Sequence, residues 1–408
     1  MKLRIGLVAA GIPLSSTGPS ISVRELAEKL SMLGHDVTLI ASDLTTGGGP
    51  AGRMVKIDPC VELRLFPAIS NLERRFYRCK AMKQWLEGQV ARFDVVDIQG
   101  VWSFVAVDAA AACTRAQVPY VLTPHGQMTR WDWRKSHRRK LVFFWLRLRR
   151  AWRGAAAIRF LSEREADNSA VEAPSRTVII PNWVDPTEPC ANPEAGELRR
   201  KLAIAQGVPV ILFLGRITEQ KGVREIVAAF DGLWCVRPDS VLVLVGPREE
   251  AYGAQLEKVI SQLHCRQSIR LLGPIYDHRR FQLFSVASAF ITLSKSEGLP
   301  VAVLEAMASG LPVVVTKEAN LPEIAQYGAG AIVGEDPQAV ATTLAAMIAD
   351  PIQLRAMGER ARKLVAERFS PAVVLPHLLA LYSELASAER RARLTAPLVS
   401  RSRSALKK

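Results

Sequence analysis

Residues 289–316, AFITLSKSEGLPVAVLEAMASGLPVVVT, decide the fold. An apolar run, Ala289–Leu293, gives way to a polar loop bearing Glu297. An apolar segment then starts at Pro300 and stops at Gly310. Proline suits the first position of a helix, where its missing N–H is not needed, and glycine ends helices by accepting a left-handed backbone. A second β-branched run, Pro312–Thr316, follows. Apolar strand, helix and apolar strand in that order make a βαβ unit of a parallel sheet. Glu297 then hangs at the helix mouth and Glu305 sits one to two turns inside. A carboxylate within VAVLEAMA needs a partner. Gly298 permits close backbone approach, and a helix N-terminus welcomes a phosphate. Two carboxylates flanking such a site can accept hydrogen bonds from sugar and ribose hydroxyls.

The same alternation runs outward through the chain. Strands are expected at Leu3–Ala9, Val37–Ala41, Val61–Phe66, Val95–Gln99, Tyr120–Thr123, Ala156–Phe160 and Thr177–Ile180. A second series follows at Val210–Leu214, Val241–Val245, Ile269–Leu272, Ala289–Leu293, Pro312–Thr316 and Ala331–Val333. Helices are expected at Ser20–Leu33, Leu72–Arg92, Phe104–Ala116, Arg138–Trp152 and Glu163–Val171, then at Asp336–Ala349, Pro351–Arg368 and Pro371–Ala388. Ser22 with Glu25 and Ser162 with Glu165 read as capping boxes. A polar stretch, Pro181–Gly196, separates the two series. The fold class is therefore α/β, with two Rossmann-like doubly wound domains facing across a cleft. Their expected bounds are 1–181 and 182–370, with a helix 371–388 packing back toward the first domain and a basic tail 389–408.

The 408 residues suit two domains. No apolar run approaches the ~18 residues of a membrane span, and MKLRIGLVAAGIPL reads as a buried strand rather than a leader. Six scattered cysteines without CxxC spacing read as buried free thiols, not a zinc site. The net charge of +15 is the unusual bulk property. Residues 1–185 hold 27 Lys+Arg against 17 Asp+Glu, a net +10. Much of the local excess lies between Arg130 and Arg153, with ten basic residues and one acid. Such a block attracts polyanions.

Three further constellations bear on chemistry. The turn GIPLSSTGPS, Gly11–Ser20, offers backbone N–H groups at a helix start. Arg216 and Lys221 lie just beyond strand Val210–Leu214, where two cations can converge on one diphosphate. His125 ends strand Tyr120–Thr123, and a lone histidine there is more often structural. His35, in LGHD, reads as structural.

In sequence order, STGPS, LGHDVTLI, TPHG, PNWVD, LGRITEQKG, LVGP and EGLPVAVLEAMASGLPVV resemble glycosyltransferase family 4, of the retaining GT-B type. The resemblance covers nearly the whole chain, and the paired glutamates with seven residues between them are its specific element. It implies transfer of a sugar from a nucleotide diphosphate-sugar. Arg216 and Lys221 would neutralise the diphosphate, and Glu305 would hold the ribose. Glu297 would bind sugar hydroxyls, with backbone N–H groups at Gly298 and Leu299. Gly18 would approach the phosphates, and His125 would contact the donor sugar. The family works without a bound metal or other cofactor. Two departures stand out: Trp183 replaces a common glycine, and Ala319-Asn320 replaces a common double glycine.

Between Arg130 and Arg153 the charges interleave with Trp131, Trp133, Phe143, Phe144, Trp145 and Trp152. This suits a helix lying on an anionic membrane surface. A core-facing aromatic stripe with a solvated basic face is the plainer reading, and nucleic acid is a weaker one. Bacterial relatives build surface polysaccharide (O-antigen, capsule or exopolysaccharide) on lipid-linked carriers. The resemblance thus implies a lipid-linked saccharide acceptor and a cytoplasmic enzyme, peripheral at the inner face of the plasma membrane. The alternative is a sugar- or nucleic-acid-binding protein of the same fold without transferase activity.

Overall fold

The computed structural model describes residues 2–12, 18–43, 57–75, 77–173, 176–186, 195–275 and 279–395. Its first sheet holds β1 (Arg4–Ala9), β2 (Asp36–Ser42), β3 (Glu62–Phe66), β4 (Val95–Gln99), β5 (Tyr120–Thr123), β6 (Ala157–Phe160) and β7 (Thr177–Ile179). The second holds β8 (Val210–Leu214), β9 (Val241–Val245), β10 (Ile269–Leu272), β11 (Ala289–Thr292), β12 (Val313–Thr316) and β13 (Gly330–Val333). The strand orders are β3-β2-β1-β4-β5-β6-β7 and β10-β9-β8-β11-β12-β13, and the paired strands run parallel. Both orders reverse beside the strand that opens each half. Crevices open at such switch points, beyond the carboxyl ends of the strands.

The sheets are apolar on both faces because helices cover both. In β1, Ile5, Leu7 and Ala9 enter one core cluster while Val8 enters the other. The last helix, Pro371–Thr395, follows the second domain but returns to the first. Its Val374, Leu375, Leu378, Leu381, Tyr382 and Leu385 join the cluster of Leu3, Ile5 and Leu7. By length and composition alone, the helical stretch Pro351–Glu389 is long and apolar enough to cross a membrane. The apolar side chains of its second half are committed to this core.

The structure corrects several boundaries. The helix expected over Leu72–Arg92 is broken into Asn71–Arg75, Lys80–Gln89 and a 3₁₀ turn at Val90–Arg92. Glu73 explains the break. Its carboxylate accepts from the backbone N–H groups of Ile69, Ser70 and Lys80, holding two helix starts at once. The basic helix runs His137–Gly154 with a π turn at Phe144–Leu148, behind a separate short helix Arg130–Arg134 capped by Thr129. Helix Pro19–Met32 begins at Gly18, so Ser22 is not its cap. Ser162 does cap Glu163–Asp167, but the Glu165 carboxylate bonds Leu161 N rather than completing the box. The last helix continues to Thr395, past the expected onset of a frayed tail, and residues 396–408 lie outside the described residues. Cys60 and Cys235 are exposed rather than buried, while Cys79, Cys113 and Cys265 are buried.

Candidate active site

The second domain forms one wall of the cleft. The loop after β11 is held by its neighbours. Thr316 Oγ1 donates to Ser294 O at 2.6 Å, and Gln220 Nε2 donates to Ser296 O at 2.9 Å. Asn320 Nδ2 donates to Glu297 O at 2.7 Å and Gly298 O at 3.0 Å. Asn320 sits at φ 60°, a left-handed backbone that asparagine tolerates better than most residues. It therefore keeps the conformation a glycine would take there and adds two hydrogen bonds. Pro300 caps helix Val301–Ala308 from just outside, one position earlier than expected, and Gly310 turns the chain at φ 79°.

Two ion pairs dominate this wall. Lys221 Nζ meets Glu297 Oε1, with side chains 18% and 11% exposed. Gly222 follows at φ 65°, where an added Cβ would lie 2.0 Å from Leu293 O, so only glycine fits. Arg280 Nε and Nη2 donate to Glu305 Oε1 at 3.1 and 2.8 Å. Both contacts fall on one oxygen, and Oε2 accepts from no described residue. Burial pushes the Glu305 carboxyl up, and Arg280 opposes that rise. Arg216 has no ion-pair or hydrogen-bond partner among the described residues.

The first domain forms the other wall. Gly18 caps helix Pro19–Met32 at φ 62° with open space where a Cβ would stand. The rest of the expected glycine turn, residues 13–17, lies outside the described residues. From the same helix, Glu25 lies within electrostatic reach of Glu305 and Arg280. Burial, then the charge of Glu305, pushes its carboxyl up. His125 takes a left-handed backbone at φ 54°, and its Nε2 lies 2.6 Å from Gln99 Oε1. Burial and the nearby Arg159 guanidinium lower its pKa to about 3.

The walls touch. A Cβ on Gly126 would lie 2.6 Å from Gly298 N, and one on Gly298 would lie 2.8 Å from Gly126 N. Thr129 and Ser296 hydroxyls share a buried hydrogen bond of 2.8 Å. Behind the contact, the Glu165 carboxylate accepts from Gly126 N and, at 2.7 Å, from Leu161 N. Burial raises its pKa to about 7. Beside it opens a cavity of about 570 Å³ between Arg164 and Asp167 on one side and Glu297, Lys317 and Glu318 on the other.

Thus Lys221 meets Glu297, and the residue after His125 meets Gly298. Glu305 is joined instead to Arg280, and Leu299 is 6% exposed. Sequence reasoning missed Arg280, Glu165, Gln99 and Asp97. The unpaired carboxylate in an apolar helix was the signal for Arg280, and Asp97 inside VVDIQ was a comparable one. Trp183 is packed in the core with β1 and the last helix, at the edge of a small cavity that Asn182 and His125 also line. His35 accepts from Leu3 N at 3.2 Å, which suits its structural reading.

The basic segment divides. Trp133, Phe144, Leu148 and Trp152 are buried. Val142 (57% exposed), Trp145 (57%) and Leu146 (70%) face outward, among exposed Arg138, Arg139, Arg147 and Arg150.

Residues 16–188 match the family described as Glycosyltransferase Family 4, and residues 194–364 match Glycosyl transferases group 1. The chain is 24% identical over 422 residues to the MMP alpha-(1->4)-mannosyltransferase of Mycolicibacterium hassiacum, covering 94% of this chain and 98% of that one. It is 26% identical to a GDP-mannose-dependent monoacylated alpha-(1-6)-phosphatidylinositol monomannoside mannosyltransferase of Corynebacterium glutamicum, over 47% of this chain and 52% of that one. The chain spans about half the length of several curated relatives it matches. Among solved structures, Anabaena HepE in complex with UDP and glucose superposes with a TM-score of 0.73 at 17% identity, covering 94% of this chain and 100% of that one. That likeness shows the fold: two facing Rossmann-like domains of the GT-B type.

Proposed function

We propose that this chain, a glycosyltransferase of the GT-B fold, moves a sugar from a nucleotide diphosphate-sugar to a saccharide acceptor with retention of anomeric configuration. The observation that carries the reading is the charged wall: Lys221 on Glu297, and, among the described residues, an Arg216 without a partner and a Glu305 with one oxygen not accepting. Arg216 and Lys221 neutralise the diphosphate, with the N–H groups at Gly298 and Leu299 beside the helix start. Glu305 Oε2 accepts from the ribose, while Glu297 and a neutral His125 accept from sugar hydroxyls. Gly18 brings the first-domain turn close to the phosphates. The bond from the anomeric carbon to the phosphate oxygen breaks, and the nucleotide diphosphate leaves with the electron pair. The acceptor hydroxyl enters on the same face, and its proton passes to the departing phosphate oxygen. With two cations at the diphosphate, the reading calls for no metal ion or other cofactor.

The acceptor in this reading is a lipid-linked saccharide of surface-polysaccharide synthesis, reached from the cytoplasmic face of the plasma membrane. The outward ridge of Val142, Trp145 and Leu146 among arginines supports it, since such a ridge suits an anionic lipid surface. The phosphatidylinositol mannoside named for one relative is a lipid acceptor of comparable class. Co-sedimentation with anionic vesicles should fall at high salt; equal binding to neutral vesicles contradicts the electrostatic part. Sequence-dependent binding of nucleic acid would favour the alternative.

A thermal-shift panel of nucleotide diphosphate-sugars tests the donor. A donor held at micromolar affinity and supplied at 100 times its Kd adds about 2.7 kcal/mol of apparent stability. No shift with any member of the panel contradicts the reading.

A further inference from the structure

Asp97 and Gln99, two residues apart on β4, face the same side. Asp97 is fully buried in the central part of the first sheet. Its Oδ1 accepts from Thr123 Oγ1 at 3.0 Å, and its Oδ2 accepts from the Tyr382 hydroxyl of the last helix at 2.5 Å. From β6, Arg159 supplies opposing charge while its own N–H groups go to Ile180 O and Pro181 O. Burial pushes the Asp97 carboxyl up, and Arg159, then Tyr382, Thr123 and the neighbouring Gln99, oppose that rise. The Gln99 Nε2 atom is buried beside that carboxyl without a hydrogen-bond partner, while its Oε1 lies 2.6 Å from His125 Nε2.

These contacts have a direction. A carboxylate only accepts hydrogen bonds, so the N–H₂ end of the Gln99 amide belongs on the Asp97 side. Its carbonyl end then faces His125, and the imidazole nitrogen meeting a carbonyl must carry the proton. His125 is thereby assigned the Nε2–H tautomer, with Nδ1 left as an acceptor. Attachment of the last helix does not require this arrangement. Leu378, Leu381, Leu385 and Ala386 already fix it apolarly, and a buried carboxylate is a costly substitute for packing.

We infer that Tyr382 and Asp97 are positioning residues for transfer: acting from the last helix through Gln99, they hold His125 in one tautomer and so keep its Nδ1 lone pair as a fixed acceptor for a donor-sugar hydroxyl. This rests on the transferase reading above. The groups facing Asp97 are Thr123 from β5, Arg159 from β6, Gln99 from its own strand and Tyr382 from the helix. Removing the Tyr382 hydroxyl takes away a donor to the carboxylate and favours its protonated form. A protonated Asp97 donates to Gln99, reverses the amide and releases the tautomer.

The test pairs nitrogen-15 NMR of the histidine rings with steady-state kinetics, on the full chain, for Tyr382→Phe and Asp97→Asn. The unsubstituted protein should show His125 as a single Nε2–H tautomer. Asp97→Asn should give a mixture and lower kcat on the order of tenfold, with donor KM changed far less. Tyr382→Phe, which removes one oxygen and should fold even where the other variant does not, should move the acidic limb of kcat/KM to higher pH. A tautomer indifferent to the substitutions overturns the relay whatever the activity. A tautomer that changes while kinetics do not overturns its role in transfer. If the unsubstituted protein transfers nothing from any donor, the functional reading fails while the NMR arm still decides the relay.

Discussion

The two walls of the cleft handle buried polarity in opposite ways. On the second-domain wall each carboxylate of the specific motif meets a full cation, Lys221 on Glu297 and Arg280 on Glu305. On the first-domain wall two titratable groups near the contact are pushed toward neutrality. His125 is held neutral down to about pH 3, and Glu165 ionises only near 7. Charge is what a diphosphate needs, and neutral fixed acceptors are what sugar hydroxyls need. In the proposed reaction the cations of the second wall meet the diphosphate, while His125 on the first wall and Glu297 on the second share the sugar hydroxyls.

The strongest way to break this contrast is to strand a charge. Arg280→Ala leaves Glu305 buried and unpaired, which should cost about 3–5 kcal/mol in urea unfolding. Adding Glu305→Gln should recover much of that loss. A cost under ~1 kcal/mol would mean that the pair is not buried as described. Next in size, Lys221→Ala should keep the fold but slow turnover by about 10²–10³, the scale of one lost charge-stabilising donor. Unchanged turnover and nucleotide affinity would remove Lys221 from the diphosphate site.

The neutral wall makes a pH prediction. The unfolded chain takes up a proton on His125 near its ordinary pKa of about 6.5, whereas the folded chain refuses it until about 3. Stability should therefore fall as pH drops below about 6.5, with His125 contributing at most ~1.4 kcal/mol per pH unit. His125→Gln should flatten that slope, and an unaltered slope would place the titration elsewhere. The smallest effect concerns the loop between the walls. Asn320→Gly keeps the left-handed backbone but loses both bonds to the Glu297–Gly298 carbonyls, and should cost about 1–2 kcal/mol. Asn320→Ala should cost more, because it adds left-handed strain.

These walls were unequally legible in the sequence. All the expected strands occur within a residue or so, because each is a short β-branched run bounded by turn residues. Glu297, Arg216 and Lys221 could be named because motif spacing sets them just beyond strand ends, and Glu305 because it stands in helix Val301–Ala308 at a fixed spacing from Glu297. Their partners could not. Arg280 is 25 residues from Glu305, and Lys221 is 76 from Glu297. Periodicity carries no information on which distant side chains converge. The Asp97–Tyr382 bond spans 285 residues, and only the return of the last helix to the first sheet creates it. Helix Leu72–Arg92 failed for a related reason: its pattern was helical throughout, but Glu73 uses its carboxylate on backbone groups across the break.

The most direct test of the account is the anomeric configuration of the first product, read from proton NMR coupling. The first-domain wall offers His125 only as a neutral group too weakly basic to take a proton from an attacking hydroxyl. An α-linked donor should therefore give an α-linked product. A β-linked product from an α-linked donor would contradict it, and would require a working base on the wall described here as neutral.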